Sequence, residues 1–129
     1  MAYYLKRISP VLIVDRIEPC LSFWEELGFD KTTEVPHGEH LGFVIFEKNG
    51  LEVMYQTRES VAADLPSLAS VPTGGTFLFL EVLDLNAVID AVGNAPVIFP
   101  RRKTFYGMEE IGIREPGGNA VTFAMPVSD

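Results

Sequence analysis

The sequence predicts an α+β protein made of two copies of one strand–helix–three-strand (βαβββ) unit. The first observation is an apolar run at residues 10–14 that ends at Asp15 and leads into a short helical pattern. The second is a run at residues 76–83 that ends at Asp84 and continues in the same way. Two similar segments that follow each other in this way are typical of duplicated supersecondary units that bury their faces against each other.

Turn signals follow each run at nearly the same distance, and they are the third observation. Asn49-Gly50 lies between two strand-like segments, which is the strongest short hairpin signal that a sequence offers. Gly117-Gly118 holds the corresponding place in the second half. We therefore predict a single domain over residues 1–129, with a first module at about 1–70 and a second at about 74–127. Residues 71–75, rich in Pro and Gly, are the predicted connector.

The first module opens with residues 8–14, which are rich in Val, Ile and Leu and predict a buried strand. A helix follows from Pro19, a residue suited to a first helical position, and Gly28 ends it. Its apolar stripe has helical spacing. The stripe consists of Cys20, Phe23, Trp24 and Leu27. Strands are predicted at residues 29–35, 40–48 and 51–57.

Between the modules, Ser60 is a candidate cap for a short helix through Leu65. The second module then begins with a strand at residues 76–83. Asp84 is the predicted N-cap of a helix whose apolar positions repeat at helical spacing until Gly93. Further strands are predicted at 97–99, where Pro100 interrupts, at 108–114 and at 120–125.

Composition excludes several function classes. Ten basic and eighteen acidic residues give a net charge of −8, which disfavours nucleic acid as a partner. No apolar stretch approaches the roughly 20 residues of a membrane helix, so we expect no membrane partner. Cys20 is the only cysteine and cannot form an internal disulfide, and we expect a cytoplasmic protein. The cluster Arg101-Arg102-Lys103 is either a solvated strand edge or an anion-attracting rim beside a pocket.

Several short segments of the sequence resemble the vicinal oxygen chelate superfamily, which contains glyoxalase I, bleomycin-resistance proteins and extradiol dioxygenases. They appear in order and cover almost the whole chain. The segments are Val14-Asp15 with Ser22-Phe23-Trp24 and Leu27-Gly28-Phe29, then Leu51-Glu52-Val53-Met54-Tyr55-Gln56, then Tyr106-Gly107-Met108-Glu109-Glu110 with Arg114-Glu115-Pro116-Gly117-Gly118-Asn119. The resemblance implies paired βαβββ modules whose curved sheets enclose a cleft, and it implies a homodimer.

Metal-using members of this superfamily place His or Glu at four positions that face the cleft. The matching residues here are Ile8, Glu52, Phe77 (or Thr76 if the alignment slips by one) and Thr122. A divalent metal site needs about three N or O donors from the protein. Only Glu52 can supply one, so the resemblance implies no metal cofactor, with a divalent metal as the less favoured alternative.

Apolar and aromatic groups then remain to line the cleft, with a few polar anchors. The predicted ligand pocket consists of Ile8, Glu52, Met54, Gln56, Phe77, Phe79, Arg101, Phe105, Tyr106 and Thr122, and Phe123 joins the aromatic set. Two residues are weak catalytic candidates, Glu52 and His40, which could act together as a general acid and base if His40 faces the cleft. The alternative interpretation of His37 and His40 is an exposed loop pair.

Three functional hypotheses follow. The first is a metal-free small-molecule binder of the bleomycin-resistance type. The second is a metal-dependent glyoxalase-like lyase or dioxygenase that uses Glu52 with a rearranged ligand such as His40 or Glu110. The third is a non-catalytic structural module, which predicts a filled cleft.

Overall fold

A computed structural model of the chain describes residues 3–127. Eight strands and three α-helices occur in this part of the chain, with 3₁₀ turns at Glu18–Cys20 and Pro66–Leu68. The elements are β1 (Val11–Val14), α1 (Leu21–Glu26), β2 (Asp30–His37), β3 (His40–Lys48), β4 (Leu51–Thr57), α2 (Arg58–Asp64), β5 (Phe77–Glu81), α3 (Leu85–Val92), β6 (Val97–Lys103), β7 (Met108–Arg114) and β8 (Ala120–Pro126). No helix among these residues is long and apolar enough to cross a membrane.

The strands form two sheets of the same design. The first sheet has the order β1-β4-β3-β2 and the second has the order β5-β8-β7-β6. In each sheet the first strand pairs in parallel with the last, and the other pairings are antiparallel. The two βαβββ modules that the sequence predicts are therefore confirmed.

Turn chemistry explains most of the boundaries. Asn49 and Gly50 have φ values of 50° and 82°, as the tight turn between β3 and β4 requires. The Asp84 side chain accepts a hydrogen bond from the Ala87 amide at 3.1 Å and caps α3 as predicted. The cap of α2 is different from our prediction, because Thr57, not Ser60, accepts the bond, from the Ser60 amide at 3.1 Å.

Several strands also differ from their predicted lengths, and the differences in β1 and β6 affect predicted site residues. The first strand begins at Val11, so Ile8 lies before it and is 90% exposed. Strand β6 passes through Pro100 and continues to Lys103, because Pro100 falls within a register shift between Phe99 and Arg102. Bulges are among the few places where a sheet accepts proline.

The helix-bearing faces of the two sheets meet in one core. Leu12, Val44 and Tyr55 from the first sheet are fully buried in it, as is Val121 from the second. Aromatic rings of α1 join them, and the Phe23 ring lies 6.5 Å from that of Phe123. The opposite faces of the sheets point away from this core, and we call them the open faces.

A buried carboxylate ties the modules together. Glu115 of the second module is 1% exposed and accepts a hydrogen bond from the Tyr55 hydroxyl of the first module at 2.6 Å. Trp24 donates its indole N–H to the same hydroxyl at 2.8 Å. Backbone amides of Gly117 and Asn119 and the Asn119 side chain complete the set around Glu115. A buried charge is tolerated only with such partners.

We therefore expect Tyr55→Phe to lower the free energy of unfolding by about 1.5–3 kcal/mol, the range for a lost hydrogen bond to a charged group. Urea denaturation followed by Trp24 fluorescence measures it. The matched control is Tyr106→Phe, whose hydroxyl also bonds a carboxylate, Glu110, but which is 50% exposed. Equal losses in the two variants would contradict the module-tying role of Tyr55.

Candidate functional site

A groove runs along the seam between the two modules. It consists of two adjoining cavities of about 300 Å³ and about 630 Å³. Both cavities are lined by Phe29, Leu51, Phe79 and Leu80, so they adjoin each other, and we call the two together the seam groove. The smaller part adds Ile8, Pro10, Trp24, Gly50, Glu52, Val53 and Leu78, and the larger part adds Leu27, Lys48, Asn49, Glu81, Val82, Leu83, Asp84, Val88 and Phe123.

The seam groove brings together three residues of the predicted pocket, namely Ile8, Glu52 and Phe79. Its floor is made of core side chains, including Phe123, which is 1% exposed. Most of its lining is aliphatic or aromatic, with charged groups confined to a few positions. This combination of an apolar lining with a few polar anchors is typical of small-molecule sites, whose volumes run from about 300 to 1,000 Å³.

Glu52 is the polar anchor of the smaller part. Its side chain is 8% exposed, and its carboxylate accepts bonds from the Ser9 hydroxyl at 2.6 Å and from Arg7 Nη1 at 2.5 Å. The same Nη1 lies 3.2 Å from Glu47. These donors, the Ser9 hydroxyl foremost, hold the pKa of Glu52 below its ordinary value, because they bond the ionised form.

The donor set at this place does not fit a divalent metal. Of the three other residues that the resemblance matches to metal ligands, Ile8 is 90% and Phe77 is 69% exposed, whereas Thr122 is 2% exposed. Ile8 and Phe77 have no donor atom. Among residues 3–127, no three His, Cys, Asp or Glu side chains come together as a metal ion requires.

The open face of the first sheet carries a separate cavity of about 500 Å³ beneath α2. Gln56 lies there and donates its amide N–H to the Ser60 hydroxyl at 3.1 Å. His37 and Asp64 supply further polar groups. Met54 is half-buried on the same face of β4, two residues before Gln56.

The open face of the second sheet is partly filled by its own side chains. The Phe99 ring covers Gly112, where an added Cβ would lie 2.2 Å from a ring carbon. Thr122 pairs with Gly112 and is buried under this cover. Phe77 and Phe79 lie on the same face but are 69% and 53% exposed. This face therefore presents aromatic rings at its β5 edge, beside the seam groove.

The structure does not bring Arg101, Phe105 or Tyr106 to the seam groove. Arg101 bonds Glu109 on the adjacent strand at 2.9 Å, as expected for a solvated strand edge. Phe105 is fully exposed in the turn after β6. The Tyr106 hydroxyl donates to the buried carboxylate of Glu110 at 2.9 Å, so it serves a contact within its own module.

His40 also lies elsewhere. Its Nδ1 contacts Arg16 Nη2 at 3.0 Å, and its register partner is His37 across a tight turn. Glu52 pairs with Glu47 at the other end of β3. Seven residues of extended strand separate these ends by roughly 24 Å. The predicted acid–base pair of His40 and Glu52 is therefore wrong.

Arg7, Ser9 and Lys48 were not predicted as site residues. Arg7 and Ser9 lie in a segment without regular structure, where no periodicity marks them. One signal existed in the sequence: Glu47 and Glu52 flank the Asn49-Gly50 turn and so face each other across the hairpin. Two carboxylates in that arrangement repel each other, and a cation nearby reduces that repulsion.

No protein-family model matches this sequence, and no curated protein is similar enough to align with it. Solved structures are similar along nearly their whole length. A glyoxalase/bleomycin resistance protein/dioxygenase from Nocardioides has a TM-score of 0.73 at 17% identity, over 98% of this chain and 87% of that one. TioX from Micromonospora sp. has a TM-score of 0.73 at 14% identity, over 93% and 98%.

A third structure, a glyoxalase/bleomycin resistance protein from Catenulispora acidiphila, has a TM-score of 0.64 at 17% identity, over 92% of this chain and 96% of that one. At such identities the likeness shows the fold. The glyoxalase/bleomycin-resistance fold that these sequence segments imply is therefore confirmed.

The bonds at Glu52 generate a prediction about pH. We expect Ser9→Ala to raise the pKa of Glu52 toward its ordinary value, since the hydrogen bond from the hydroxyl favours the ionised carboxylate. Because the pKa of Glu52 is lowered in the folded state, its contribution to stability is present above the unfolded-state pKa and is lost as pH falls through the folded one. In Ser9→Ala the contribution is smaller, and its loss is complete at a higher pH.

Carbon-detected NMR titration of the glutamate carboxyl groups measures the shift, and thermal melts between pH 3 and pH 7 follow the stability. Ser70→Ala is the control, because Ser70 is exposed in the connecting loop. An unchanged Glu52 titration in Ser9→Ala would show that the hydroxyl does not bond the carboxylate in solution.

Proposed function

We propose that this protein binds a small molecule in the seam groove without converting it, as a metal-free member of the vicinal oxygen chelate superfamily of the bleomycin-resistance type. The observation that carries this proposal is the groove itself. It consists of two adjoining cavities, reaches about 630 Å³ in the larger one, and has an apolar lining with few polar groups. A contiguous exposed apolar surface of this kind is typical of ligand-binding grooves and interaction sites.

The shape and charges of the groove favour an elongated, mainly apolar ligand with a neutral or cationic polar group. Phe79 and Leu51 are 53% and 57% exposed, and burial of their surfaces would supply most of the affinity. Exposed carboxylates of Glu81 and Asp84 lie at one rim. Lys48 is committed elsewhere, since its ammonium donates to the Leu27 carbonyl at 2.8 Å. Together with the net charge of −8, these groups disfavour an anion.

Neither of the other two hypotheses explains the groove as well. A metal-dependent lyase or dioxygenase needs a ligand set that Ile8, Phe77 and Thr122 do not provide. A purely structural module predicts a filled cleft, whereas the seam between the modules is open.

The proposal includes a homodimer in the cytoplasm. The outer edges of β1 and β5 have no strand partner among residues 3–127, and Phe77 and Phe79 stand exposed at the β5 edge. A second copy placed against this edge would cover the rings and roof the seam groove. Exposed aromatic groups of this kind are typical of protein–protein contacts.

The ligand hypothesis is tested with a screen of neutral and cationic aromatic compounds by thermal shift. A ligand at 100 times its dissociation constant adds about 2.7 kcal/mol to stability. For a hit, we expect Phe79→Ala to weaken binding about ten-fold or more, because the ring lines both parts of the groove. Phe105→Ala is the control of the same residue type. A screen without hits, or equal affinity in both variants, would count against the seam groove.

The dimer is tested by light scattering coupled to size-exclusion chromatography. We expect the wild-type chain to elute as a dimer and Phe77→Arg to elute as a monomer, since a charge would replace the exposed ring at the β5 edge. Phe105→Arg, an equally exposed replacement far from this edge, should remain dimeric. A monomeric wild-type chain at micromolar concentration would contradict this arrangement.

A further inference from the structure

A row of carboxylates crosses the first sheet at the end nearest the seam groove. Glu47 on β3 pairs directly with Glu52 on β4, and Asp30 on β2 pairs with Glu47. Paired residues of neighbouring strands lie on the same face, about 4.5–5.5 Å apart at their Cβ atoms, and like charges in such pairs are destabilising. The Glu52 side chain is 8% exposed, whereas that of Glu47 is 41% exposed, so the repulsion acts at the border of the solvent.

The chain supplies its own counter-ion for this row. Arg7 Nη1 stands between the two carboxylates, 2.5 Å from Glu52 Oε2 and 3.2 Å from Glu47 Oε1. The Ser9 hydroxyl bonds the other Glu52 oxygen at 2.6 Å. The neighbouring cation Lys48 cannot take this role while its ammonium is held on the Leu27 carbonyl.

The contact of Arg7 with Glu47 and Glu52 lies at a position that bears on metal binding. Glu52 is the one residue of this chain that keeps a ligand type at the four superfamily metal positions, and here it is bridged to Glu47 by a guanidinium. We propose that Arg7 is the permanent cation of this site, and that its guanidinium takes the place between Glu47 and Glu52 that a divalent ion would need. The groove then keeps its form, and the repulsion between Glu47 and Glu52 is reduced, with no metal.

This arrangement also fixes the wall of the seam groove. Arg7 and Ser9 draw the segment before β1 onto β4, where the Met54 amide donates to the Pro10 carbonyl at 3.0 Å. Ile8, between the two polar residues, is thereby placed on the lining of the groove. The inference deepens the proposed function, and rests on it only in taking this groove as the ligand site.

The test uses the full chain and Mn²⁺ alone as the probe. We expect Arg7→Ala to expose the Glu47–Glu52 pair and to bind Mn²⁺ at least ten-fold more tightly than the wild-type chain, because two carboxylates and a hydroxyl are oxygen donors that hard cations prefer. Millimolar Mn²⁺ should raise the melting temperature of the variant, and paramagnetic broadening of NMR signals should centre on Glu47 and Glu52.

Three further variants make the result specific. Lys6→Ala removes the adjacent exposed cation and should behave as the wild-type chain does. Arg7→Ala combined with Glu52→Gln should lose the gain in Mn²⁺ affinity. Arg7→Gln keeps a long polar side chain without the charge, and should show the same gain if Arg7→Ala folds poorly.

Two outcomes would overturn the assignment. One is a wild-type chain that binds Mn²⁺ at Glu52 as tightly as Arg7→Ala does, since the arginine would then not hold the place of an ion. The other is an arginine variant, folded, that gains no Mn²⁺ affinity. Neither readout involves an organic ligand, so a failed ligand screen and a failed manganese experiment are separate results.

Discussion

The buried carboxylate of Glu115 is the constraint on which the arrangement of the two modules depends. It satisfies the turn between β7 and β8 through the amides of Gly117 and Asn119, and it reaches into the other module through Tyr55. Trp24 of α1 extends this series of hydrogen bonds by donating its indole N–H to the Tyr55 hydroxyl. Because an ionised group at this depth is stable only when its acceptor sites are filled, the turn, the strand and the helix must adopt one relative position. The seam groove lies where the two modules meet in that position, since residues of both modules line it.

The two modules share a design but use their open faces differently. In the second sheet, Phe99 lies over Gly112 and closes the place beside Thr122. In the first sheet, polar groups such as Gln56 line an open cavity instead. The same scaffold therefore packs one face with its own side chains and leaves the other accessible. Glycine at position 112 leaves room for the ring, since an added Cβ there would require Phe99 to move.

Sequence reasoning recovered the fold because the repeat, the apolar spacing and the turn residues are local signals. Asn49-Gly50 and the Asp84 cap act within a few residues, and both occur where predicted. The site was recovered only in part. Ile8, Glu52 and Phe79 meet at the groove, whereas Arg101 and Tyr106 turn to partners in their own module. Such outcomes depend on which side-chain atoms meet after folding, and no spacing rule encodes that.

The parallel pairing of the first and last strands in each sheet determines when each module can assemble during synthesis. In both modules the first strand pairs only with the last strand of the same sheet. Strand β1 therefore cannot pair until β4 has been made, and β5 cannot pair until β8 has been made. During synthesis the first module can be complete once Thr57 has left the ribosome, while the second must await Pro126. Throughout that interval β5, with Phe77 and Phe79 along it, has no sheet to join. The nascent chain is therefore most exposed to misassembly in its second half, between translation of β5 and of β8.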